Sequence, residues 1–85
     1  MPSLDDVARD MERRAKRNQV CIVDLTRGLS LKLVICGGQR VLSLSRPAVL
    51  PAVEEIGVCR KAFGVPADAR VEMTNTEVTY RWTPS

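Results

Sequence analysis

The sequence predicts a single small α+β domain spanning residues 1–85, in the order α-β-β-β-α-β-β, with both helices packed on one face of an antiparallel sheet. Three observations carry that prediction. Apolar residues recur at helical spacing over residues 4–17, alternate with period two from Gln19 to Ser45, and return to helical spacing after Pro51. A last alternating segment between Ala69 and Trp82 closes the chain as a hairpin. Strands grouped between helices, rather than alternating singly with them, mark the α+β class.

The first helix opens at Ser3, a hydroxyl suited to the N-cap. Asp5 and Asp6 follow in the first turn, and Arg13, Arg14, Lys16 and Arg17 crowd the last, so both ends match the helix dipole. Leu4, Val7, Ala8, Met11 and Ala15 form a narrow apolar stripe, enough to lie on a sheet and too little to be surrounded.

The meander follows. A two-residue Gly37-Gly38 turn sets Cys36 against Gln39, Val34 against Val41, Leu33 against Leu42, and Leu31 against Leu44. That register gathers Leu29, Leu31, Leu33, Ile35, Leu42 and Leu44 on one face and leaves Ser30, Lys32, Ser43 and Ser45 on the other. Upstream, a three-residue Thr26-Arg27-Gly28 loop with Gly28 left-handed pairs Leu25 with Leu29 and turns Cys21 and Val23 inward. A two-residue turn would select Val20, Ile22 and Asp24 instead; keeping Asp24 out of the core favours the first.

Pro51 suits the first position of a second helix, Glu54 and Glu55 follow it, and Ala52, Ile56, Cys59 and Phe63 share a face. Arg60 and Lys61 close that helix, and Gly64-Val65-Pro66 reads as a glycine cap, its apolar contact and a stop. An Asn75-Thr76 turn then pairs Met73 with Val78, Val71 with Tyr80 and Ala69 with Trp82, all apolar on one side.

The chain has 13 basic and 10 acidic residues and a net charge of +3, and the positive excess sits in its middle, from Arg27 to Lys61. Cys21, Cys36 and Cys59 are widely spaced in apolar runs, the pattern of small hydrophobes in a reducing compartment rather than of a disulfide framework. The start, Met-Pro-Ser-Leu-Asp-Asp, carries no basic or apolar leader pattern, and no apolar stretch has the length of a bilayer span. The expectation is cytoplasmic, with no membrane contact.

The absence of histidine removes the commonest general base and metal ligand. The carboxylates sit at helix starts or on outer strand faces, where capping and solvation account for them. Cys59 has Arg60 and Lys61 beside it in sequence, yet its spacing with Ile56 and Phe63 turns it inward. The three cysteines lack metal-site spacing, and Gly37-Gly38 joins two strands rather than a strand and a helix, so it is no phosphate loop. No catalytic residue, metal or cofactor is therefore assigned, and the chain reads as a non-enzyme.

Two functional readings remain. In the first, Arg27, Lys32, Arg40 and Arg46 edge the sheet and contact a nucleic-acid backbone, with the basic end of the first helix adding to the patch. Tyr80 and Trp82 are the only aromatics placed for base stacking, and their shared face with Val71 and Met73 assigns them to the core instead. In the second, the chain is a homodimeric protein-interaction module, adaptor-, antitoxin- or chaperone-like. It covers Val34, Cys36 and Val41, an apolar spot on the outer sheet face, across a two-fold axis. The bland alternative for the basic residues is helix-dipole matching and solubility.

Overall fold

The computed structural model describes residues 3–84. Met1 and Pro2, on which part of the N-terminal reading rests, lie outside them. The elements are α1 (Leu4–Asn18), β1 (Val20–Asp24), β2 (Ser30–Cys36), β3 (Gln39–Ser45), α2 (Val53–Ala62), β4 (Arg70–Met73) and β5 (Glu77–Trp82). The five strands form one antiparallel sheet in the order β1-β2-β3-β5-β4, so β5 fills the place beside β3 and β4 becomes an edge.

Capping fixes α1 at both ends. The Asp6 N–H donates to Ser3 Oγ at 3.2 Å while the Ser3 N–H donates to Asp6 Oδ2 at 3.3 Å, a reciprocal capping box. At the other end Gln19 adopts a left-handed conformation (φ 72°), and its N–H donates to the Ala15 carbonyl at 2.8 Å. Its own carbonyl accepts from Ile35 N–H at 2.9 Å. One residue thus ends the helix and begins the sheet.

The meander adopts the predicted pairing, with Val34 opposite Val41, Leu33 opposite Leu42 and Leu31 opposite Leu44. Gly37 and Gly38 both have positive φ (59° and 79°), the requirement of the tight turn whose twist matches its strands. The preceding loop sets Cys21 against Leu33 and Val23 against Leu31, and the Leu25 N–H donates to the Leu29 carbonyl at 2.7 Å. Asp24 stays outside, its Oδ1 accepting from Ser30 Oγ at 2.6 Å. Arg27 as well as Gly28 is left-handed here, at φ 63° and 76°.

Two expectations about α2 and the last hairpin are corrected. Pro51 precedes the helix, which begins at Val53 with Ala52 as N-cap; Ala52 is exposed rather than on the packed face. The Ala52 N–H donates to Glu55 Oε1 at 3.0 Å, so the start of α2 is marked by a glutamate three residues on that accepts the N-cap donor. The C-terminus behaves as read: Val65 N–H donates to Arg60 O and Gly64 N–H to Lys61 O, a Schellman closure around Gly64 at φ 66°. In the hairpin Met73 pairs Val78 and Val71 pairs Tyr80, but Ala69 stays outside the strand because its N–H turns back to the Pro66 carbonyl at 3.2 Å.

Both helices cover the same sheet face. The core joins Met11 and Ala15 of α1, Cys59 of α2, and Cys21, Leu31, Leu33, Leu42, Leu44, Val78, Tyr80 and Trp82 of the sheet. Val71 and Met73 share the helix-facing side with Tyr80 and Val78, yet they are 49% and 62% exposed. They lie on the edge strand, at the far end of the sheet from β1 and β2, the strands against which α1 packs.

Candidate interaction surface

The four basic residues singled out by the sequence do not share one surface. Lys32 is exposed on the helix-free face, opposite Ile22 on one side and Ser43 on the other. Arg27 is exposed in the loop between β1 and β2. Arg40 and Arg46 fall on the opposite, helix-facing side, in phase with Leu42 and Leu44. Arg40 pairs with Glu12 of α1 and its side chain is only 17% exposed. Arg46, 15% exposed, pairs with Glu55 of α2 and also donates to the Arg27 carbonyl. Each guanidinium closes one end of β3 against a different helix. The clue was the even-numbered parity that both arginines share with the leucines between them.

The residues assigned to a subunit contact do lie together. Val34 and Val41 are directly opposite on the helix-free face, half-buried, and Cys36 is exposed at the end of β2. The structure adds two that the sequence reading missed. Val20 stands opposite Val34, so a row Val20–Val34–Val41 crosses three strands, and Ile22 lies one step along β1. Val20 is 42% and Ile22 62% exposed. The loop register that turned Cys21 and Val23 inward already implied that these two turn outward.

Toward β5 and β4 the same face becomes polar. Arg81 continues the valine row beyond Val41, Ser43 and Thr79 share a hydrogen bond at 3.2 Å between their hydroxyls, and Glu72 reaches Arg81 at 3.7 Å. Over the whole helix-free face Lys32, Arg70 and Arg81 are balanced by Asp24, Glu72 and Glu77. Neither helix lies on this side.

The remaining chemistry belongs to the fold. Burial pushes the Cys59 thiol up to about 11, with Glu55 adding to the shift, so it stays protonated at neutral pH. Tyr80 and Trp82 are buried, and Arg60 stacks over the Tyr80 ring at 5.3 Å from its centroid. Hydrogen bonds from Arg9 and from the Ser3 N–H hold the Asp6 carboxyl below its ordinary range, which reports the cap at the start of α1. An apolar groove between α1, α2 and the β1–β2 loop is lined by Leu4, Leu25, Leu29, Val58 and Cys59. Among the described residues no cluster of His, Cys, Asp or Glu is placed to hold a metal ion, and no helix is long and apolar enough to cross a membrane.

Fold and surface together define a two-layer α+β domain with one sheet face left open. No protein-family model, curated protein or solved structure matches the chain.

Proposed function

We propose that this chain is a non-enzymatic protein-interaction module that pairs with a second copy of itself through the helix-free sheet face. The observation that carries the reading is the row Val20–Val34–Val41, in register across three strands with no element of the chain over it. Isologous contacts need a self-complementary surface. Here an apolar row adjoins a field with three charges of each sign, so a two-fold can cover the valines and match the charges together. The molecule measures 31 × 30 × 19 Å, a slab whose broad face is on the order of 900 Å², close to the roughly 800 Å² per partner of a standard interface.

A nucleic-acid backbone is the alternative occupant of this face. It would rely on Lys32, with Arg27 at the rim, because Arg40 and Arg46 are engaged by glutamates on the other side. Only the phosphate contact weakens steeply as salt rises; the apolar one is insensitive to it. Light scattering at low and high salt, with and without a pool of short single- and double-stranded nucleic acids, separates them. A dimer that persists in high salt, ignores nucleic acid and dissociates on Val34→Glu or Val41→Glu supports the module. A mass increase that needs nucleic acid, vanishes in high salt and is lost in Lys32→Glu transfers the face to phosphate binding.

A further inference from the structure

The free edge of β4 carries a second self-complementary pattern, and we propose that two copies of the chain also join there, β4 against β4, in an antiparallel register centred on Val71. This contact is separate from the open-face pairing and goes beyond it.

The hydrogen-bond phase of the last hairpin fixes which groups are free. The Thr74 N–H donates to the Glu77 carbonyl at 2.9 Å, which makes these two a mutually facing pair. Alternation along an antiparallel ladder then turns the main-chain groups of Glu72 and Arg70 toward β5 and points those of Val71 and Met73 out of the sheet. A second β4 must bond through these odd-numbered residues. Two registers allow it. Centred on Glu72, the pairing opposes Glu72 to its own copy, a like-charge contact that destabilises a sheet. Centred on Val71, it sets Arg70 opposite the second copy's Glu72, and Glu72 opposite the second copy's Arg70. Each Val71 N–H then donates to the other Val71 carbonyl, and each Met73 N–H to the other chain's Ala69 carbonyl.

The same register answers two unmet needs of the isolated chain. Arg70 stands directly opposite Arg81 within its own hairpin and has no ion pair among the described residues; the second copy's Glu72 supplies the carboxylate. Val71 and Met73, exposed on the helix-facing side, come together across the two-fold. The other edge offers no such pairing of opposite charges. By the same phase rule β1 presents Val20, Ile22 and Asp24, and a pairing centred on Ile22 sets Asp24 against a valine. Because β4 is only four residues long, the contact is weak and concentration-dependent.

The test uses Val34→Glu, or Val41→Glu should that variant not fold, as a background that disables the open face. Sedimentation over rising concentration reads the mass. The background is expected to double its mass as concentration rises. Adding Arg70→Glu, or separately Glu72→Arg, is expected to weaken that association about tenfold, since each places two like-charged pairs across the two-fold. An equimolar mixture of the two variants restores it, because every cross-chain pair is then of opposite sign. Arg70→Glu also faces Arg81 within its own chain, so its fold is retained. A background that stays monomeric, or single variants that associate as well as their parent, overturns the edge contact. Failure of the open-face reading shows separately, as a wild type and a Val34→Glu chain of equal mass.

Discussion

Arg46 and Glu55 meet in a two-point contact across the layers: Arg46 Nε donates to Glu55 Oε1 at 3.3 Å and Nη2 to Oε2, joining the point where the chain leaves β3 to the first turn of α2. With Arg40 and Glu12 at the other end of β3, the central strand is tied to both helices by its two arginines.

This contact gives stability a defined acid limit. The Glu55 carboxyl lies below its ordinary value of 4.5, first because it accepts the Ala52 N–H and second because of Arg46. A carboxyl whose folded pKa is depressed contributes fully above the unfolded value, and the contribution is lost as pH falls through the folded one. The urea midpoint should hold steady down to pH 5 and decline below 4.5, and Glu55→Gln should start lower and decline less steeply. An unchanged acid slope in that variant would show that other carboxylates set the limit.

The same geometry separates the basic residues by what their loss does. Arg40→Ala should cost about 1 kcal/mol or more, because it leaves Glu12 without its partner against the sheet. Lys32→Ala, on the exposed face, should stay within about 0.5 kcal/mol. Thermal unfolding of the two variants checks the difference.

Glycine replacements should differ in sign. Gly28 has φ 76°, and an added Cβ would come within 3.3 Å of Pro47 Cδ, so Gly28→Ala should cost at least the roughly 1–2 kcal/mol of a left-handed L-residue. Gly57 lies in the exposed interior of α2 with nothing near its missing Cβ, and Gly57→Ala should stabilise by about 0.5–1 kcal/mol. Chemical denaturation of both variants reads the contrast.

The three thiols should react at well-separated rates. Cys36 is exposed, whereas Cys21 and Cys59 are buried and the Cys59 thiol is held protonated. In the Val34→Glu chain, whose open face is left uncovered, a thiol-specific reagent at pH 7.5 should label one site quickly and the others only on unfolding, with Cys36→Ser abolishing the fast phase.

The fold was legible where local chemistry and periodicity agreed. Ser3 with Asp6, Gly37-Gly38, and Gly64-Val65 each announce a terminus or turn, and the pairing of Leu33 with Leu42 follows from the turn alone. Pro51 misled by two positions, because the signal that sets the start of α2 is Glu55 reaching back to Ala52. Val71 and Met73 have the parity of core residues, but only the strand order reveals that β4 lies beyond the reach of the helices. Arg40 and Arg46 were harder still. Charge suggests a solvent-facing site, while parity places them inward, and their glutamates lie 28 and 9 residues away in sequence.

The position of β5 between β3 and β4 has a consequence for synthesis. The helix and meander through Ser45 make contacts between segments close in sequence, which form fast. Until residues 77–82 emerge, however, β3 presents a bare flank whose proper neighbour is made only after α2 and β4. A nascent chain stalled or truncated before Glu77 therefore exposes Leu42 and Leu44 beside an unpaired strand, a template for misassembly that the final hairpin removes.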